Sequence, residues 1–175
     1  MPKWSEVSLD VIDVEPGNGR TRPKFTMAGG SLKFQLPRGT CQWGVSSEYR
    51  SFQVSVPDEE FVQWYETLEK KLCSDEPFTS NLRAGQMRLK VDDGTLFFKA
   101  DGTILVDGAE RMKGSDVSCI MEISGSYHFN EKYGLTCRAT QVRIWQEGSE
   151  GQTAHVIGSF GTSPVSIPKR ALLDD

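Results

Sequence analysis

The chain has 175 residues, a formal net charge of −4, 37% hydrophobic and 25% charged residues. That length holds one domain with a real core but not two comfortable ones, and the balance excludes general disorder. Seventeen glycines and eight prolines call for frequent turns, as an all-β domain of short strands needs.

Val7-Ser8-Leu9-Asp10-Val11 alternates and reads as a first strand. The following PGNGRTRPKFTMAGG, spanning 16–30, reads as a basic loop expected to be mobile. Ser31–Pro37 alternates again, with Leu32, Phe34 and Leu36 on one face. Tyr49–Val56 places Phe52, Val54 and Val56 inward. One amphipathic helix is expected over about 58–73. Asp58 is its N-cap, Glu59 and Glu60 lie in the first turn, and Phe61, Tyr65, Leu68 and Leu72 form an apolar stripe. Ser74-Asp75-Glu76-Pro77 ends it.

In the second half, Gln86–Val91 sets Met87, Leu89 and Val91 against Arg88 and Lys90. Asp92-Asp93-Gly94 is a turn signal, so Gln86–Val91 and Thr95–Ala100 read as a hairpin. Ile104–Val106 and Val117–Ile123 are further strands. In Gly134–Trp145, Leu135, Cys137 and Ala139 share one parity while Val142 and Ile144 share the other. A bulge near Ala139–Gln141 restores the phase, as strands curving round small barrels do. Residues 147–161 read as a loop or weak hairpin. One domain is thus expected over 1–163, with a loosely held tail over 164–175.

The N-terminal MPKWSEVSLDVIDVEP has no apolar stretch of signal-peptide length, and no run approaches a membrane span. An intracellular, soluble protein with no membrane partner is expected. Cys41, Cys73, Cys119 and Cys137 are scattered, and neither His128 nor His155 is near them in sequence. Free buried thiols are expected rather than a zinc site, and no cofactor is implied.

The acidic total hides a segregated charge. Pro16–Ser47 holds Arg20, Arg22, Lys24, Lys33 and Arg38 with no acid; Pro77–Val91 and Lys132–Gln146 are likewise acid-free and basic. Seven acids cluster in Asp58–Glu76. Local clustering sets an electrostatic footprint more than the sum does. There is no GxxxxGK[ST] loop, GxGxxG turn, GxSxG elbow or HExxH, and two isolated histidines offer little acid–base chemistry. No enzyme is expected.

What the chain does offer is aromatic residues interleaved with Arg and Lys on strands. Single strands are held by bases stacking on aromatic faces while Lys and Arg follow the phosphates. The candidate binding residues are Arg88, Lys90, Phe97, Lys99, Tyr127, Phe129, Lys132, Tyr133, Arg138, Arg143 and Trp145.

The run Lys113-Gly114, Val117, Met121, Gly125-Ser126-Tyr127-His128-Phe129, Lys132-Tyr133-Gly134-Leu135-Thr136-Cys137-Arg138 and Gln141-Val142 carries a family likeness. It resembles the closing β-hairpin of single-stranded DNA-binding proteins of large double-stranded DNA viruses. It is also similar, more distantly, to the replication single-strand-binding proteins of podophages. Trp43-Gly44-Val45-Ser46, then a strand and a helix, matches the order of elements in the same group, so the likeness covers about three-fifths of the chain. Relatives often carry an aromatic where Cys137 or Arg138 stands, and their tails are longer and more acidic than Asp174-Asp175.

The resemblance implies a mainly β fold, an OB-like five-stranded barrel with added strands and one helix. It implies sequence-tolerant single-stranded DNA binding in replication, recombination or repair. RNA shares that chemistry. Replication proteins recruited through the tail and self-association are the other partners considered. The alternative is a β-barrel interaction or structural module that binds no nucleic acid.

Overall fold

The alternating segments of the chain find their partners in one curled sheet. In the computed structural model, which describes residues 1–17, 23–73, 78–129 and 132–146, eleven strands join that sheet and one α-helix packs against it. Residues 147–161 and the 164–175 tail, for which a loop and a loose end are expected, lie outside the described residues, as do Arg20 and Arg22.

Two 3-10 turns, Trp4–Glu6 and Leu9–Val11, precede β1 (Ile12–Glu15). The strand expected over Val7–Val11 is thereby displaced. Ser8 Oγ accepts the Asp10 N–H at 3.3 Å, a local bond that competes with a strand ladder. β3 (Gly30–Gln35) is the strand expected from Ser31, but it forms a hairpin with β2 (Lys24–Met27), which lies inside the segment expected to be a loop. Its two-residue turn is Ala28-Gly29, with φ at 50° and 75°, as a type I′ turn requires. Alanine is a strained choice there, so the composition hides the hairpin.

β4 (Gly39–Cys41) extends the line of β3 beyond Pro37, and β5 (Ser51–Ser55) follows. α1 (Glu59–Cys73) starts as the sequence indicates, with Asp58 Oδ1 accepting the Phe61 N–H at 3.0 Å. Its stripe of Phe61, Tyr65, Leu68 and Leu72 is buried, stabilising the fold by roughly 1.5–3 kcal/mol per apolar side chain. The remaining strands are β6 (Leu82–Arg83), β7 (Gln86–Lys90), β8 (Leu96–Lys99), β9 (Ile104–Leu105), β10 (Ser115–Phe129) and β11 (Lys132–Gln146).

Five lines of strand make the barrel. β3 and β4 both pair with β10, β10 with β11, β11 with β7, and β7 with β5. β5 then returns to β4, so close that a Cβ on Gly39 would stand 1.8 Å from the Ser55 carbonyl oxygen. Taken in chain order as first to fifth, the barrel strands neighbour one another as 1-2-3-5-4 and back to 1, with the third and fifth parallel. This is the OB-like Greek-key barrel expected, with α1 inserted between the second and third strands. β7 and β11 pair only at Lys90 and Arg138. Below that point the segment around β6 fills the gap. The Asn81 side-chain amide donates to Leu135 O at 2.7 Å, and Asn81 O accepts the Arg88 N–H at 2.9 Å.

The phase break in β11 is a real bulge. Ile120 faces Gln141 while Met121 faces Ala139, so Leu135, Cys137, Ala139, Val142 and Ile144 all stay buried. The hairpin expected between Gln86–Val91 and Thr95–Ala100 is corrected, since β7 pairs with β5 and β8 pairs with β9 and β11. The Asp92 turn exists, with Asp92 Oδ1 accepting the Gly94 N–H at 2.9 Å, but it passes the chain along β11 instead of reversing it. Thr95 Oγ1–H donates to Ala139 O beside the bulge at 2.8 Å, anchoring β8 there. All four cysteines are free and buried, and burial pushes the Cys41 and Cys73 thiols up to about 11.

Candidate nucleic-acid interface

In an OB-type barrel the outer face of the second and third strands, with the loop before the second and the loop joining the last two, is where oligonucleotides bind. Here that face belongs to β5 and β7. Alternation buries Met87 and Leu89 completely and turns Arg88 and Lys90 outward. Arg88 stands opposite the exposed Gln53, and its Nε–H donates to Ser51 Oγ at 3.3 Å.

Loop 42–50 overhangs the Lys90 end of this face, because β5 leaves it at Ser51, the partner of Lys90. Trp43 in this loop is 74% exposed and Tyr49 is 60% exposed. An exposed tryptophan forgoes a large apolar gain on folding, which marks it as a candidate for binding. The Arg88 guanidinium carbon lies 5.5 Å from the Tyr49 ring centroid, within cation–π range. The loop is braced rather than loose. Ser46 N–H donates to Ser51 O at 2.8 Å, Ser46 Oγ accepts the Tyr49 N–H at 3.3 Å, and Arg50 pairs with Asp93.

The opposite end is the β10–β11 hairpin. β11 runs parallel to β7 with Arg138 beside Lys90, so its start at Lys132 lies beyond the Gln86 end. His128 stacks on Tyr133 with centroids 4.6 Å apart and planes at 22°. Tyr127 lies across Gly134, where an added Cβ would come within 2.4 Å of its ring. The Tyr133 backbone is pinned by the Thr79 N–H at 2.6 Å. The outward side of β7, about 13 Å from Gln86 to Lys90 at about 3.3 Å per residue, thus runs between the Tyr49 loop and the hairpin end. There Tyr127 and Gly134 share the side of Arg138, while His128 and Tyr133 share that of the buried Leu135 and Cys137.

The other sequence candidates are distributed differently. Phe97 is packed in the core at 8% exposure, and a Cβ on Gly108 would come within 2.1 Å of its Cβ, so its ring faces the interior. Lys99, of the same parity, is exposed at the end of β8. Arg138 donates to Glu122 at 2.7 Å and to Asp92 at 2.8 Å, so a phosphate there competes with two carboxylates. The hydrogen bond from Arg138 holds the Asp92 carboxyl below its ordinary value. Arg143 and Trp145 sit near the far end of β11, in a separate cluster with Arg38. Phe129 and Lys132 end the two strands of the hairpin, and their side chains lie outside the described ones.

No protein-family model and no curated protein matches the sequence. Solved structures do match. The chain superposes on gp2.5, a single-stranded DNA-binding protein encoded by bacteriophage T7, with a TM-score of 0.53 at 10% identity, over 76% of this chain and 100% of that one. The single-stranded DNA-binding protein of bacteriophage Enc34 gives 0.54 at 10% identity, over 81% and 96%. Its C-terminally truncated form gives 0.54 at 9% identity, over 78% and 97%. The fold is that of these phage single-stranded DNA-binding proteins.

Within that fold, sequence reasoning names Arg88, Lys90, Tyr127 and Tyr133 as candidates and does not name Tyr49 and Trp43, the exposed aromatics of loop 42–50. The available signal was two aromatics in the polar loop WGVSSEYR, where no core strand needs them. Among the described residues there is no group of His, Cys, Asp and Glu able to hold a metal ion, and no helix long and apolar enough to cross a membrane.

Proposed function

We propose that the protein binds single-stranded DNA without sequence preference across the β5–β7 face, in replication, recombination or repair. The observation that carries this is Tyr49, exposed with its ring 5.5 Å from the Arg88 guanidinium carbon at the Lys90 end of the β5–β7 pair, the pair of strands whose outer face takes oligonucleotides in OB-type barrels. Bases stack on Tyr49 and on Trp43 of the same loop at one end and on Tyr127 at the other. Arg88 and Lys90 meet the phosphates between them. The two phage proteins that share the fold are single-stranded DNA-binding proteins, which supports the same reading.

Oligo-dT titrated at low salt should quench tryptophan fluorescence and lose affinity steeply as salt rises. Trp43→Ala with Tyr49→Ala should weaken binding by roughly 1–3 kcal/mol for each stacked base lost. Binding unchanged in that folded double variant refutes the placement, and no binding by the parent protein refutes the function. Competition between matched DNA and RNA strands tests the choice of sugar.

A protein-interaction module is the second reading. It rests on Leu96, Ile104 and Val106, exposed apolar side chains at the β8–β9 edge. A partner retained after nuclease treatment, with no oligonucleotide binding, would favour it.

A further inference from the structure

Arg143 and Trp145 lie away from the β5–β7 face, and their surroundings form a site of their own. Trp145 Nε1–H donates to Ser118 Oγ at 2.7 Å, which fixes the indole against β10. The guanidinium carbons of Arg38 and Arg143 each lie 5.1 Å from its ring centroid. Beside this cluster opens a cleft of about 240 Å³ lined chiefly by Lys3, Trp4, Leu36, Arg38, Ser118 and Trp145. The lining carries two cations and no carboxylate. Asp116 lies 3.7 Å from Arg38 in a half-exposed pair too long for a hydrogen bond, and Glu6, next to the cleft, accepts the Lys3 backbone N–H at 2.9 Å. So exposed a pair as Arg38 and Asp116 holds weakly, and Arg38 can turn to an incoming anion at little cost.

The cleft is positive, walled by two indoles and slightly smaller than the roughly 300–1,000 Å³ of drug-sized pockets. A flat ring joined to one phosphate matches it; a run of nucleotides does not. We infer that this cleft holds one nucleotide unit of a single strand, its phosphate on Lys3 and Arg38 and its base against Trp4 and Trp145. The inference rests on the strand-binding reading above but concerns residues outside that face. It makes the N-terminal turn, which brings Lys3 beside Gln35 and packs Trp4 on Phe61, part of the ligand surface.

The test follows the Trp145 indole N–H resonance, assigned with Trp145→Phe, while dTMP or 5′-phosphorylated (dT)4 is added to the full chain. Both ligands should shift it, in the parent protein and equally in Tyr49→Ala/Arg88→Ala. Lys3→Gln/Arg38→Gln should bind both about tenfold more weakly, as loss of a charge-assisted contact implies. The other indole resonances report whether that variant is folded; if it is not, Lys3→Gln alone should weaken binding and Arg38→Lys should largely keep it. No shift with either ligand, or equal affinity in the glutamine variant, overturns the inference. A shift with dTMP but not with the tetranucleotide also overturns it and identifies a free-nucleotide pocket. Failure of the β5–β7 reading is seen separately, as (dT)12 binding that Tyr49→Ala/Arg88→Ala leaves intact.

Discussion

Closure of the barrel depends on one glycine, and replacing it should show how much. In Gly39→Ala the new Cβ would lie 1.8 Å from Ser55 O, 2.9 Å from Val54 Cγ2 and 3.0 Å from the Ser55 carbonyl carbon. The first of these neighbours is backbone of β5, so no side-chain rotation relieves the overlap. β4 and β5 must separate by more than an ångström, at the seam where the β5–β7 face joins the rest of the barrel. Overpacking of a tight core costs about 1–3 kcal/mol, and a backbone clash belongs at or beyond the upper end. For a chain of this size each kcal/mol lowers the melting temperature by about 2–4 °C. Gly39→Ala should therefore melt roughly 6–12 °C below the parent, with a matching fall in the urea midpoint. Gly30→Ala is the control, since its Cβ would meet only Met27 O at an ordinary 3.7 Å. It should be neutral, or slightly stabilising through the unfolded chain. If Gly39→Ala and Gly30→Ala melt within a degree of each other, β4 and β5 do not close the barrel as described.

Arg138→Gln should lower stability more than DNA affinity, by about 1–2 kcal/mol in urea unfolding, because it strips Glu122 of its closest partner. A larger effect on oligo-dT binding than on stability would return Arg138 to the contact surface. Asp92 is held below its ordinary value by the same arginine, so its contribution to stability is present above the unfolded carboxylate range near pH 4 and is lost as pH falls. Arg138→Gln should accordingly flatten the acid limb of the stability profile. Glu69 has the opposite sign. It is 1% exposed, and burial raises its carboxyl above the ordinary value although the Asn81 N–H donates to it at 3.2 Å. Its favourable contribution is full below the unfolded carboxylate range and is lost as pH rises through the raised value. Glu69→Gln should thus be at least as stable as the parent at pH 8, and a marked loss there would contradict the assignment.

The elements legible in the sequence are those whose signal is local. Asp58, the two following glutamates and the Phe61–Leu72 stripe specify α1 within a single segment. The parity change in Leu135–Ile144 specifies a bulge, since every one of those side chains must stay inside. Elements that depend on a distant partner are not legible. Asp92-Asp93-Gly94 looks the same whether the chain folds back or moves along β11, and the carbonyl of Ala139 decides between them by accepting the Thr95 hydroxyl. Ala28-Gly29 closes a hairpin only because β3 is held by β10 on its other side.

The proposed binding face divides in the same way. By itself, the sequence determined that Arg88 and Lys90 oppose Met87 and Leu89, because side chains alternate along a strand whatever surrounds it. Only the tertiary structure decided which aromatics remain in reach of a ligand. Phe97 sits on a strand whose parity allowed either face, and β9 and Gly108 closed over it. Trp43 and Tyr49 sit in a loop with no parity at all, and the packed barrel leaves both exposed, Tyr49 against Arg88. Periodicity names the two sides of a strand; which side is covered depends on segments far away in the chain.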